Sequence, residues 1–534
     1  MTKRSQLVLV LGLAAFVVLG QACGGGSMGA ADMGATPGGQ QDNGLARDQI
    51  AAGLVPKGED VTVEGMLNDH DLPLEAPACE RDFCIRAAYG IAPALDTGRS
   101  AVFVQMGFSS GIDETTFKRA PLNLAVVVDR SGSMEGEKLN AVKQALSRLV
   151  DQLDARDRLA IVLFDDRVDV LWESAPVESR EAIRARLADI WARGSTDMAS
   201  GLRTGFAQVA ANGGRAGVAD RVMVFTDAMT NTGDTDTETF IGLASDNAQK
   251  GVGLTVFGVG IDLNQDLVVA ISKLRGGNYF YLRDAAKIST VFDVDFDYLV
   301  TPLAYDLQFR LEPKGGFRIA QVYGYSAWQS GSSAVEINVA TVFLSRNHGA
   351  IVARLEAEGS TWPLGKPPLA ELTLQYESRA GEVVGDAITA AYSADEALRD
   401  GTVFYSQRAV RKTVALVNTA IGEKRSCELF WQGSADAARE LLQETVDLLT
   451  AEAAELEDAE LRGEAEDAQK LLANMTTAID QGYDYTTGYL GDDTEYPTGG
   501  FFACSVGGES SAATGLPLLL LGLALGAARA LRKR

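Results

Sequence analysis

Histidine is scarce in this chain. Two occur in 534 residues, His70 and His348, far apart in sequence. A histidine-ligated zinc site and a histidine-dependent hydrolytic triad therefore find little support. No H-E-x-x-H string is present, and no G-x-x-x-x-G-K-[ST] loop to cradle phosphates. Basic charge is also short. Lys and Arg number 48 against 72 Asp and Glu, a formal net charge of −24. No basic stripe is evident, which argues against nucleic acid as a partner. Apolar runs are brief as well. Residues 7–19 and 516–528 each fall below the roughly 20 residues of a membrane-spanning helix. Only five cysteines occur.

What is there begins at the two ends. Lys3 and Arg4 precede the apolar run 7–19, and Gln21-Ala22-Cys23 follows. This is the pattern of a secretory signal that is removed. Cys23 before Gly24-Gly25-Gly26-Ser27 resembles a bacterial lipoprotein cleavage site, which makes Cys23 the candidate for lipidation. The leucine of that pattern stands one position early, at Leu19, with Gly20 in its place. At the other end, Cys504-Ser505-Val506-Gly507-Gly508 precedes the leucine-rich run and Arg529, Arg532, Lys533 and Arg534. That package resembles the C-terminal sorting tags of myxobacterial surface proteins; a plain membrane anchor is the alternative. Cys79 and Cys84, close together in an exported segment, suit a local disulfide. Cys427 can pair with Cys504, or be left odd if Cys504 belongs to a tag.

The densest chemistry lies at Val126-Val127-Val128-Asp129-Arg130-Ser131-Gly132-Ser133-Met134. A β-branched run ends in an acid, and two hydroxyls follow at alternate positions. The run reads as a buried strand. A helical pattern begins at Glu137, with an apolar stripe of Leu139, Val142, Leu146, Leu149, Val150 and Leu153. Oxygen-only donors suit Mg²⁺, Ca²⁺ or Mn²⁺ and argue against zinc.

The D-x-S-x-S pattern resembles the metal-ion-dependent adhesion site of von Willebrand factor type A (VWA) domains. Two further segments carry the resemblance. Gly194-Ser195-Thr196-Asp197 looks like the family's threonine loop, and Arg221-Val222-Met223-Val224-Phe225-Thr226-Asp227 like its fourth strand with the terminal aspartate. Ala228 stands where the family usually has glycine. The resemblance implies that Ser131, Ser133 and Thr196 are hydroxyl ligands and that Asp129 and Asp227 are outer carboxylates. Asp197, beside Thr196, can serve as a further ligand through water, with helix capping the preferred reading. Neutral hydroxyls leave the ion much of its charge, so a partner's Asp or Glu can replace a bound water. No general base or second ligand cluster accompanies the site, and the chain is read as a binding protein, not an enzyme.

Strands and helices alternate from Leu122 to about Tyr298, which predicts an α/β fold: a doubly wound, mostly parallel, Rossmann-like sheet. Short alternating runs then predict a flanking β-sandwich, which strands before residue 120 can complete. A C-terminal helical segment follows, expected as a hairpin from Asp395 to Ile421 and Ala435 to Ala478. The expected domains are a signal peptide (1–22), a flexible linker (23–58), a β-rich segment (59–119), the VWA-like domain (120–298), a β-sandwich (299–394), a helical region (395–480), a linker (481–510) and the anchor or tag (511–534). The expected function is that of an exported cell-envelope protein, held at the outer membrane or cell surface by lipid or anchor. It would engage an acidic group on a protein partner in adhesion or envelope assembly. A regulatory or assembly subunit of a membrane complex is the alternative, and a metal-dependent hydrolase the weakest reading.

Overall fold

The computed structural model describes residues 33–37, 43–227, 234–259, 270–271, 273–282, 285–324, 334–359, 361–395 and 397–482. The signal, Cys23, Ala228, Cys504 and the C-terminal tag lie outside the described residues.

β1 (Met33–Pro37), α1 (Gly44–Ala51), α2 (Val63–Asn68), β2 (Cys84–Ala94) and β3 (Arg99–Ser110) come first. The α/β domain follows: β4 (Leu122–Asp129), α3 (Glu137–Gln152), β5 (Arg158–Phe164), β6 (Val168–Pro176), α4 (Arg180–Ala188), α5 (Met198–Ala210), β7 (Ala219–Thr226), α6 (Asp234–Ala248), β8 (Gly253–Val259), β9 (Gly277–Leu282), α7 (Ala285–Ser289) and α8 (Phe296–Leu299). Its sheet has the order β6-β5-β4-β7-β8-β9. All pairs are parallel except β5 with β6. Every residue of β4 is buried, as a central strand covered on both faces requires. Val126 and Val128 meet Leu139, Val142 and Leu146 of α3 on one face. Ala125 and Val127 meet Leu202, Phe206 and Val209 of α5 on the other.

β10 (Pro302–Pro313), β11 (Phe317–Tyr323), β12 (Val335–Ser345), β13 (Ala350–Ala357), β14 (Pro368–Ser378), β15 (Val383–Ala391) and β16 (Phe404–Tyr405) build the β domain with β1 to β3. One leaf runs β16-β2-β3-β13-β11 and the other β12-β10-β14-β15. β1 joins them, pairing with the end of β3 and with β12. The α/β domain is thus inserted between β3 and β10. Val102, Val104, Met106 and Phe108 of β3 point into the sandwich core, while Ala101 and Phe103 point the other way.

That second face is covered by α9 (Arg408–Trp431), α10 (Ala435–Glu455) and α11 (Ala459–Asp480). Residues 101–108, readable as a half-buried strand, are in fact buried on both faces because of these helices.

Three expectations need correction. The stretch 23–58 is not a linker throughout: Met33–Pro37 is a sheet strand, with Ala35 fully buried, and Gly44–Ala51 is helical. Its Gly- and Ala-rich composition hides a strand held by ladder bonds more than by side chains. The helix expected from Asp395 begins only at Arg408. Before it, Leu398 bonds Gly365 in both directions, Gly401 takes a left-handed φ of 77°, and Phe404 and Tyr405 pair with β2. The run from Ala435 is two helices, so the hairpin is a three-helix unit. Glu457 breaks it with φ 47°, and the Asp458 carboxylate caps the next helix by accepting from the Glu460 and Leu461 N–H groups.

Candidate metal centre

Between β4 and β7 the sheet order reverses its direction of winding. Such a switch point opens a crevice at the carboxyl ends of the strands. The D-x-S-x-S loop enters it. Asp129 is fully buried at the end of β4. One of its oxygens, Oδ1, accepts from the Ser131 N–H at 2.8 Å, and Oδ2 accepts from the Thr226 hydroxyl at 2.6 Å. The Ser131 and Ser133 hydroxyls lie 3.1 Å apart. Ser133 donates to Asp227 Oδ1 at 2.9 Å, and Lys138 Nζ donates to Asp227 Oδ2 at 2.6 Å. Asp129, Ser131, Ser133 and Asp227 therefore form one hydrogen-bonded run, joined first through the Ser131 N–H and then oxygen to oxygen.

Thr196 stands outside that run, exposed on its loop. Its loop is nevertheless bound to the first. Gly132 N–H donates to Gly194 O at 3.1 Å, and Arg193 N–H to Arg130 O at 2.7 Å. Gly194 has a left-handed φ of 69°, and a Cβ there would come within 2.2 Å of Asp166 Oδ1. Glycine is required at that bend. Asp197 is the N-cap of α5, accepting from Ser200 N–H at 3.0 Å. α4 stops at Ala188, short of the helix readable to Ala192, because the following backbone is drawn into these loop bonds.

Several supporting residues escaped the sequence reading. Arg130, inside the motif, is 6 % exposed and donates through Nε to the fully buried Asp165 at 2.6 Å. Arg193 donates to the same carboxylate at 2.8 Å, and both arginines reach Asp169. Asp165 follows β5 as Asp129 follows β4, which was the one available signal. Burial raises the Asp165 carboxyl, but Arg193, the Arg167 N–H and Arg130 outweigh it and hold it at about 2. At Asp129, burial and the Asp227 charge push the carboxyl above its usual range against the Thr226 and Ser131 hydrogen bonds.

The donor set fits a hard divalent cation. It is made of oxygen only, with Asp129 oriented by two donors. Two carboxylates face each other across the serines, with Lys138 as the cation against them. Among the described residues no group of three or more His, Cys, Asp and Glu is placed to hold a metal; the run holds two carboxylates and two hydroxyls.

Cys79 and Cys84 are bridged, with Cα atoms 5.9 Å apart. Cys427 is a free, fully buried thiol in α9, and burial pushes it well above its ordinary range. One string, Gly107-Phe108-Ser109-Ser110-Gly111, has the G-x-S-x-G spacing of a hydrolase nucleophile elbow. It does not form one. Ser109 lies within β3, is 7 % exposed, and its hydroxyl has no hydrogen-bond partner, so the nearby His348–Asp71 pair does not activate it.

The fold is a doubly wound α/β domain with a loop of carboxylates and hydroxyls at its switch point. Residues 123–294 match the family model of the von Willebrand factor type A domain. Such domains serve protein–protein interaction. The chain is 30 % identical over 227 residues to sll0103 of Synechocystis, covering 42 % of this chain and 48 % of that one. It is 26 % identical over 268 residues to YfbK of Escherichia coli, covering 49 % and 46 %. The chain thus spans about half the length of these curated relatives. A solved VWA protein from Catenulispora acidiphila resembles it at 14 % identity and a TM-score of 0.47, over 75 % of this chain and 98 % of that one.

Proposed function

We propose that this is an exported envelope protein whose VWA domain holds a divalent cation, Mg²⁺ by preference, and through it an acidic side chain of a protein partner. The observation that carries the reading is the continuous hydrogen-bonded run from Asp129 through Ser131 and Ser133 to Asp227 at the sheet's switch point. Ser131, Ser133 and Thr196 are the hydroxyls that would hold the ion, with Asp129 and Asp227 behind them. The bound ion would supply a coordination position that a carboxylate can fill. Trp191 adds a second element of recognition. It is 58 % exposed, three residues before Gly194, with the Arg193 guanidinium 5.3 Å from its ring centre. Exposed Trp and Arg are the residue types that anchor protein interfaces. Export by the N-terminal signal and retention by lipid on Cys23 or the C-terminal segment belong to the same reading.

The test is affinity capture from intact cells by the full chain in Mg²⁺, with chelator elution. Ser131→Ala should lose the metal and the captured partner together. Capture indifferent to both chelator and Ser131→Ala would refute the reading. Protease shaving of intact cells should remove the VWA domain if it lies outside.

A further inference from the structure

Four arginines are buried among the described residues: Arg119, Arg130, Arg221 and Arg354. Three have a carboxylate. Arg119 pairs with Asp157, Arg130 with Asp165 and Arg354 with Asp96. Arg221 has none among the described residues. It stands near the start of β7, at the opposite edge of the sheet from Asp129, and is 3 % exposed. Its Nη1 donates to Thr255 Oγ1 at 2.7 Å and to Gly276 O at 3.2 Å. Its Nε is buried without a hydrogen-bond partner. The guanidinium carbon lies 5.4 Å from the Phe343 ring centre. The ionisable neighbour that acts on it is the Tyr305 phenol, and burial brings its pKa down to about 10. A buried charge left in this condition is costly unless something answers it.

Arg221 also lines a cavity of about 410 Å³ between the VWA domain and the β domain. Both crossings of the chain border it, Ala120 before β4 and Val300 to Pro302 before β10. The other charged groups on its wall are already engaged. Arg275 pairs with Asp306 and Glu377, Arg379 with Asp82, and Asp220 accepts from Asn123 Nδ2 and Gly214 N–H. The charge left unanswered is that of Arg221. Gly253 keeps the guanidinium clear: a Cβ there would come within 2.9 Å of Nη2.

We infer that this cavity is a binding site for a small oxyanion, a carboxylate or phosphate group, which answers the buried charge of Arg221 on its wall. Guanidinium matches these anions with paired, parallel hydrogen bonds. The volume lies within the range of small-ligand sites. Because the wall includes both covalent connections between the domains, an anion held here ties the VWA domain to its support. The site is independent of the metal centre, and each can fail without the other.

The test uses the full chain and two probes, inorganic phosphate and succinate, at constant ionic strength against chloride. One or both should bind saturably by calorimetry and raise the melting temperature by about 3 °C or more for each tenfold excess over Kd. A rise with one probe alone identifies which oxyanion the cavity takes. Arg221→Met should abolish the binding and melt no lower than the parent in anion-free buffer, since it removes an unpaired buried charge. Arg221→Lys should weaken binding at least tenfold. Arg318→Met, an exposed side chain of β11, should leave it unchanged. Absence of saturable binding of both probes to the parent overturns the inference, whether or not the variants fold. So does an Arg221→Met protein that binds as the parent does.

Discussion

Asp165→Asn removes a charge from beneath the metal loop while keeping the shape of the side chain. Asp165 is fully buried and accepts from Arg130 Nε at 2.6 Å, Arg193 Nε at 2.8 Å and the Arg167 N–H at 2.9 Å. These contacts hold its carboxyl at about 2 against an ordinary 3.8. At about 1.4 kcal/mol per unit the difference is worth on the order of 2–3 kcal/mol. Breaking a buried ion pair costs about 3–5 kcal/mol in general, because the surviving charge stays buried. The lower end applies, since Asp169 remains on both arginines. A loss of about 3 kcal/mol lowers the melting temperature by roughly 6–12 °C for a domain of this size. Arg193→Met provides the contrast. That side chain is 31 % exposed, so its loss should cost less than about 1 kcal/mol. Arg130 is peptide-bonded to both Asp129 and Ser131, so Asp165→Asn should also weaken Mg²⁺ binding about tenfold, as supporting contacts do at metal sites. Urea denaturation and calorimetry with Mg²⁺ read the two effects separately. An Asp165→Asn protein within about 1 kcal/mol of the parent refutes the account.

Two further substitutions have directions set by packing and burial. Gly205→Ala in α5 should gain about 1 kcal/mol by helix propensity. Yet a Cβ there meets Val127 Cγ2 at 2.4 Å, so the expected result is a net loss of about 1–3 kcal/mol by urea denaturation, and a gain would count against the close approach of α5 to β4. Glu423 in α9 is 6 % exposed. Burial, then the charges of Glu464 and Asp467, raise it to about 8 against the pull of Arg47. The folded chain therefore keeps a proton that the unfolded chain releases near 4.5, and stability should fall as pH rises from about 4.5 to 8, by up to ~5 kcal/mol. Glu423→Gln should flatten that slope and exceed the parent at pH 8; His70, held above its usual range by Glu464 despite burial, adds a smaller loss of the same sign in both proteins. Equal slopes in the two proteins would rule Glu423 out as the cause.

The α/β domain was legible because its signals are local. Residues 122–129 combine a run of apolar side chains with a terminal acid, and the stripe from Leu139 to Val150 has the period of one helix face. The motif segments were legible by order, since Asp129, Thr196 and Asp227 each follow or precede a recognisable element. What escaped depends on neighbours in space. Nothing near Arg130 in sequence announces Asp165, which arrives from the adjacent parallel strand. β1 carries almost no side-chain signal and is defined by its two partners. The helical pattern between 395 and 407 is real in composition, but Gly401 and the ladder to β2 override it. The Glu457 break occurs at a residue whose type does not favour a left-handed φ.

The insertion itself explains how one sheet can serve two ends. β4 holds eight residues, all buried, and extends about 26 Å at 3.3 Å per residue. Its first residues adjoin Ala120 and the cavity of Arg221; its last is Asp129. β7 repeats the arrangement, from Arg221 at one end to Asp227 just past the other. Both domain connections therefore meet the sheet at the edge away from the loop of Ser131 and Ser133. The strands between are packed on both faces, and such close-packed interiors resist gradual deformation. The two crossings between the domains, at Ala120 and Val300–Pro302, border the cavity of Arg221.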